Sequence, residues 1–382
     1  MKLTGAWIEA DETQAICQML EDAGFQALLV GGCVRNALLD EPVNDVDIAT
    51  DARPETVSEI AAATGYKVVP TGIEHGTVTV IANRRPFEIT TFRRDVQTDG
   101  RRAVVAFAED VESDARRRDF TMNALYALRD GTVIDPLGGL PDLEARRVRF
   151  IEDPERRIRE DYLRILRFFR FHAWYGNAEA GLDAEGLAAV ASLADGIEAL
   201  SRERVGAEML KLLSAPDPAP SVAAMQQTGV LRHVLPGADS AALTILVHNE
   251  EKLGVPACGV RRLAAIGGQD VPDRLRLSRE TARRLNLVRK AAYDTETAEE
   301  LGYRHGDDVG TDIILLRASL LGEAVGPTQI EALHRGADHV FPVRAADLMP
   351  TYEGKALGRK LDELENHWIA SGFALTREDL LL

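Results

Sequence analysis

Asn44-Asp45-Val46-Asp47-Ile48 carries two aspartates one residue apart, and a Gly-Gly turn at Gly31-Gly32 precedes it. On a β-strand, side chains two positions apart share a face. The spacing therefore predicts Val46 and Ile48 in a core and both carboxylates together in one site. Two convergent carboxylates with no base between them repel each other unless a cation sits there. Mg²⁺ suits such a pair, since it is commonly held by one or two carboxylates plus substrate phosphates. A bare Asp-x-Asp is more often an acidic turn entering a strand. Its neighbours change the reading.

Ala27-Leu28-Leu29-Val30 reads as a short buried strand, broken by Gly31-Gly32, after which Val34 to Leu39 resumes with helical periodicity. A strand–Gly–helix junction leaves backbone N–H groups free at a helix start, which suits phosphate. Gly32 is the expected point of close approach, and Arg35 can add a charged fork to the same phosphates. The stretch is neither a Walker A loop nor a dinucleotide fingerprint, because the glycine spacing and the Lys-Ser/Thr are missing. Followed about a dozen residues later by Asp45 and Asp47, it predicts a triphosphate site beside a metal site.

The rest of the chain bounds the setting. Its 382 residues allow two or three domains, with 45% hydrophobic and 28% charged residues as in a soluble globular protein. No apolar stretch approaches the roughly 18 residues of a membrane span, and Met1 to Glu12 lacks the apolar centre of a signal peptide. Cys17, Cys33 and Cys258 form no Cys-x-x-Cys pair, so neither zinc nor a disulfide framework is implied, and a reducing cytoplasm is expected. The net charge of −16 is uneven: residues 84–170 hold nineteen Arg, no Lys and seventeen acids, a local +2. An acidic protein can thus keep a basic groove for phosphates while its surplus acid suppresses promiscuous nucleic-acid binding.

Coarse structure follows from the patterning. Pro54 to Ala63 reads as a helix; 67–69, 76–81, 86–92 and 132–134 read as strands; 94–114 reads as a charged loop; Phe120 to Tyr126 reads as a helix. Beyond about residue 150 only amphipathic helices are expected. The fold class is α+β: a nucleotide-handling head with a mixed β-sheet and helices, followed by an all-α neck, body and tail. The anticipated divisions are 1–150, 151–236 and 237–382. No internal repeat is visible.

Two further clusters carry chemistry. Arg117-Arg118-Asp119 opens the expected Phe120 helix, where Asp119 can cap; the same Arg118 and Asp119 can instead meet a ribose, one donating and one accepting. In Glu160-Asp161-Tyr162-Leu163-Arg164, continued to Phe171, a single helix would align Asp161, Arg164, Arg167 and Arg170 at i, i+3 steps. That stripe can be a solvated face. It can also read a base: a carboxylate accepts from cytosine N4 or adenine N6, and a guanidinium donates to the adjacent ring acceptor, whereas uracil and guanine present the opposite pattern.

Together these residues resemble the class II tRNA nucleotidyltransferase/poly(A) polymerase family, in particular its bacterial CCA-adding enzymes. The resemblance runs through Gly31 to Arg35, Asp45 to Asp47, Arg117 to Ala124, Asp135 to Gly138 and Glu160 to Arg164, with Ser201 to Arg204 similar to a neck motif. It implies Asp45 and Asp47 as catalytic metal ligands, with Glu88 as a further acid near the metal. It implies triphosphate at Gly32 and Arg35, ribose at Arg118 and Asp119, base reading by Asp161 and Arg164, and supporting contacts from Arg167 and Arg170. The implied partners are the tRNA 3′ end, CTP and ATP, with Mg²⁺ as cofactor, no membrane and no stable protein partner. Asn36 and Asp40 depart from the usual Asp and Gly. The basic segment Arg274 to Lys290, with Arg279, Arg283 and Arg284, is a candidate tRNA-backbone contact. The rival readings are a poly(A) polymerase, a CC-only or A-only enzyme, and a non-catalytic RNA-binding protein. No His-Asp dipeptide supports a fused phosphohydrolase.

Overall fold

A computed structural model describes residues 1–70, 72–99 and 102–382. The chain divides into two compact units, Met1–Pro236 and Gly237–Leu382. Among the described residues the strands all lie in the first: β1 (Leu28–Val30), β2 (Asp47–Thr50), β3 (Lys67–Val69), β4 (Thr77–Ala82), β5 (Arg85–Thr91), β6 (Arg93–Asp99), β7 (Arg102–Phe107), β8 (Tyr126–Ala127) and β9 (Val133–Ile134). Seven form one mixed sheet in the order β3-β4-β5-β2-β1-β8-β9, in which β2 and β5 alone run parallel.

The alternation that predicts β4 and β5 is visible in their burial: Val78, Val80, Phe87 and Ile89 face inward with Thr77, Thr79 and Glu88 opposite. The helix Pro54–Ala63 begins with proline at its first turn, where a missing N–H removes no helical bond. A second packing layer is aromatic. Phe120 meets Phe150 at 5.0 Å and Phe171 at 5.1 Å, and Phe150 stacks on Phe168 at 5.3 Å. Phe168 and Phe171 belong to the helix Leu163–Tyr175, so this cluster fixes that helix against the segment carrying Asp119.

Three sequence expectations are corrected by the fold. The charged stretch 94–114 is not a loop: β6 and β7 pair as an antiparallel hairpin, and Val111–Arg116 is helical. Flanking charge obscured the strand-forming run Ala103-Val104-Val105-Ala106-Phe107, while Gly100 and Arg101 of the anticipated loop lie outside the described residues. Phe120 to Tyr126 is not a helix but a single 3₁₀ turn, Thr121–Asn123, followed by β8. Asp119 accepts from Phe120 N and Asn123 Nδ2, and Tyr126 pairs with Val30 in the sheet, so local side-chain bonding and strand pairing win. Finally, 160–171 is broken: one helix ends at Glu160 and the next begins at Leu163.

The second unit is built of helices. Its helices Ala298–Leu321 and Pro327–Ala337 cross in backbone contact, because a Cβ on Gly302 would lie 1.9 Å from Leu333 O and one on Gly336 1.9 Å from Glu299 O. A buried ionic cluster ties other helices: Arg261 bridges Glu250 and Asp312, both at 2.7 Å, and Arg262 joins Glu250 at 2.8 Å.

Candidate active site

Asp47 opens β2, with Val46 and Ile48 buried on the opposite face and Asp45 exposed just before the strand. Burial alternates over 45–48 as predicted, but the strand itself begins at Asp47 and leaves Asp45 outside. Parallel pairing sets Glu88 of β5 directly across from Asp47. Burial, the neighbouring Glu88 carboxylate and the charge of Asp45 push the Asp47 carboxyl up to about 6, against the pull of Arg118. Such an excess of negative charge is the condition a bound divalent cation relieves. Among the described residues no group of three or more His, Cys, Asp or Glu side chains is arranged as a metal cage. The donor set thus fits an ion held by two carboxylates and completed by substrate or water oxygens, as Mg²⁺ commonly is.

Asp47 lies in the wall of two clefts. The smaller, about 200 Å³, is lined by Gly32, Cys33, Arg35, Asn36, Val43, Asn44 and Asp45 besides Asp47. The larger, about 390 Å³, adds Glu88, Arg93, Arg117, Arg118, Asp119, Asp161, Arg164 and Arg167 among its lining. In the Gly-Gly turn, Gly31 takes φ 71°, a left-handed conformation open to glycine, and Arg35 N makes an early helical bond to Gly31 O at 2.9 Å. Amides 32–34 thus sit at the helix start beside Asp45.

Arg35 does not present the free fork expected of it. It is 7% exposed and donates to Asn123 Oδ1 (2.5 Å), Asn36 Oδ1 (2.8 Å) and Tyr175 Oη (2.9 Å), with its guanidinium 3.9 Å from the Tyr175 ring centre. These three acceptors are neutral, so its charge remains at the wall of the smaller cleft.

Arg118 is held by Asp114. Asp114 Oδ2 accepts from Arg118 Nη2 (3.0 Å) and Tyr126 Oη (2.8 Å), and Oδ1 accepts from Arg117 Nε (2.8 Å). These two arginines hold the buried Asp114 carboxyl well below the usual range despite its desolvation. Asp119 is not a helix cap: its Oδ2 accepts from Arg167 Nε at 2.6 Å, joining residues 48 apart in sequence.

Asp161 and Arg164 line the same cleft without pairing. Asp161 Oδ2 accepts from Arg204 Nη2 at 2.6 Å and Oδ1 from Leu163 N at 3.1 Å. Arg164 donates to Glu160 Oε2 (2.6 Å), Arg157 O (2.8 Å) and Arg117 O (3.1 Å). The break at Asp161 turns its carboxylate out of the predicted i, i+3 stripe. Arg170, expected beside the nucleotide, instead donates to Glu208 at 2.6 Å and stands outside the lining of the larger cleft.

In the second unit Arg279 and Arg283 are exposed on the helix Arg279–Ala291. Arg284 is a correction: it is bound by Asp308 and Asp312, each at 2.7 Å, which removes its fork from an RNA backbone. Sequence reasoning missed Asp114, Tyr126 and Arg93 at the cleft or behind it, and quoted Arg117 and Glu160 within motifs without giving either a role. The one available signal was Asp114 at i−3 and i−4 from two arginines, a spacing the structure sets at the end of the short helix Val111–Arg116.

Comparisons with known proteins give the chain's relatives. Residues 27–149 match the model of the poly A polymerase head domain, and 181–242 match a probable RNA and SrmB binding site of polymerase A. The chain is 32% identical to the CCA-adding enzyme of Limosilactobacillus fermentum over all of this chain and 98% of that one. It is 30% identical to the mitochondrial CCA tRNA nucleotidyltransferase 1 of Danio rerio, over 97% of this chain and 90% of the relative. The Bacillus stearothermophilus CCA-adding enzyme in complex with CTP superposes with a TM-score of 0.72 at 27% identity, covering 94% of this chain and 93% of that one.

Proposed function

Because the chain belongs to the CCA-adding enzyme family, we propose that it adds or repairs the 3′-terminal C-C-A of tRNA, taking CMP and AMP from CTP and ATP without a template and releasing pyrophosphate. The observation that carries this reading is Asp47. It stands at the wall both of a cleft with the Gly-Gly turn and of a cleft with arginines and the paired acids Asp119 and Asp161.

Asp45 and Asp47 would hold Mg²⁺, which when bound supplies Lewis-acid stabilisation of charge on the reacting phosphate and lowers the pKa of the attacking hydroxyl. Glu88 adds negative charge beside Asp47. The amides at Gly32 and the charge of Arg35 receive the triphosphate, and Arg118 and Asp119 orient the ribose, the latter braced by Arg167. Asp161 and Arg164 read the base edge. Arg170 acts through Glu208 to steady the helix that carries Arg164. No covalent nucleophile is needed: orientation and electrostatics supply the catalysis. Residues 1–150 act as the catalytic head, 151–236 as the nucleotide-selecting neck and 237–382 as the tRNA-binding body and tail. The three cysteines are free thiols and no described helix is long and apolar enough to cross a membrane, which supports a cytoplasmic site of action.

The test is incorporation into tRNA lacking its 3′ end, with CTP and ATP given singly and together. C, C, A in sequence is expected, with pyrophosphate released. Asp45→Ala should lower the rate by on the order of 10³-fold while leaving thermal unfolding unchanged. ATP-only tailing would make the enzyme a poly(A) polymerase. No pyrophosphate at all would reduce the chain to an RNA-binding protein.

A further inference from the structure

Asp114 is 1% exposed and lines neither cleft, yet five donors of four residues, from three segments, converge on it. Arg117 reaches it through Nε at 2.8 Å, and Arg118 through Nη2 at 3.0 Å and Nε at 3.3 Å. Tyr126 Oη on β8 donates at 2.8 Å and, in turn, accepts from Arg118 Nε at 3.1 Å. The backbone N–H of Arg93, at the base of the β6–β7 hairpin, donates to Oδ1 at 3.3 Å.

The manner of the grip matters more than its strength. Arg117 is held through Nε alone, so Asp114 takes neither terminal nitrogen of a side chain that lines the larger cleft. Arg118 is held through Nε and Nη2, so Nη1 is left over, and a Cβ built on Gly31 would stand 3.4 Å from it. A single buried carboxylate therefore fixes the back of two guanidinium groups that line the same cleft as Asp47. One negative charge set against two positive ones leaves a net cation there. A guanidinium is planar, so fixing one edge fixes the direction of the other. An arginine with several rotatable bonds would otherwise lose ordering entropy when substrate binds.

We propose that Asp114 is a positioning residue for the nucleotide: it preorganises Arg117 and Arg118 as a double fork for the phosphate and ribose oxygens common to CTP and ATP, and anchors the base of the hairpin to the same point. The proposal rests on the reading of Arg118 as a nucleotide contact. Since the sugar and triphosphate are shared by both substrates, its effect falls on both equally, unlike that of a base-reading residue.

The experiment is steady-state incorporation on tRNA primers by Asp114→Asn, Tyr126→Phe and, as comparator, Arg118→Ala. Asn keeps the shape but loses the charge and offers donors where Arg117 and Arg118 donate. Asp114→Asn is expected to raise KM about 10-fold for CTP and for ATP alike, with kcat changed less than 3-fold. Tyr126→Phe, which removes a single hydroxyl, should raise both KM values about 2- to 3-fold, giving a readout even if Asp114→Asn fails to fold. Unchanged KM values in Tyr126→Phe and in any folded Asp114→Asn, beside a raised one in Arg118→Ala, would overturn the positioning role alone. So would a shift confined to one nucleotide. If Arg118→Ala itself leaves KM unchanged, the site reading fails first.

Discussion

Both units of this protein bury arginine–carboxylate clusters, and they use them to opposite ends. In the helical body Arg261 is 3% exposed and Arg262 2%, with Glu250 and Asp312 equally enclosed. Arg284 closes the set on Asp308 and Asp312, so three arginines meet three acids. In the first unit, five arginines and four acids line one cleft, a net positive wall in a chain of net charge −16. There Asp114, behind the lining, holds Arg117 and Arg118 by one edge, and Asp119 holds Arg167. A sequence scan sees Arg-rich runs in both places. What separates a core clamp from a binding site is whether the guanidinium donors are used up by protein acceptors.

The sharpest way to break that contrast is Asp312→Ala. Removing the acid strands Arg261 partly unpaired in a dry setting, and breaking such a buried pair costs about 3–5 kcal/mol. Denaturant unfolding should show a loss of that size in the transition of the body. KM for CTP in the folded protein should stay put. A comparable rise in KM would mean that the body cluster is not the closed structural clamp its partners imply.

The next effect is smaller and falls on selectivity. Asp161 meets Arg204 and Leu163 N, while Arg164 meets Glu160, so neither supplies the other's partner. Asp161→Asn keeps size but adds an amide donor that uracil O4 and guanine O6 accept. Discrimination against UTP and GTP should fall by about 1–3 kcal/mol, the scale of one well-made base contact. Single-nucleotide incorporation reads this directly. Unchanged selectivity would move base reading away from Asp161.

How much of this was legible in sequence depends on range. The Asp45/Asp47 alternation and the Gly31 turn are local, fixed by strand period and by glycine's left-handed backbone, and the structure has them as expected. Leu163, Leu166 and Phe169, at i, i+3 steps on one helix, are buried by an equally local period. What failed was set by partners far along the chain. Asp119 looked like a cap because its true partner, Arg167, is 48 residues away. Arg35 looked free because Tyr175 is 140 residues away. The hairpin was hidden because strand pairing, not propensity, defines it, and charged residues blur a period of two. Asp114 escaped notice because its one local signal, arginines three and four residues on, does not mark the acid as buried.

Arg279 and Arg283 offer the mildest test of the contrast. They share a helix with Arg284, yet Arg284 is committed to Asp308 and Asp312 while the other two side chains face solvent. If freedom of the guanidinium marks an RNA contact, the double change Arg279→Ala/Arg283→Ala should weaken tRNA binding several-fold. It should also flatten the dependence of log affinity on log salt by up to about 0.9 for each phosphate no longer neutralised. KM for CTP should not move, because the nucleotide cleft is formed by residues of the other unit. Arg284→Ala should instead behave like Asp312→Ala, lowering stability with the salt slope intact. Equal slopes for wild type and the double variant would mean that these exposed arginines are a solvated helix face, and that an unpaired fork is necessary for nucleic-acid contact but not sufficient.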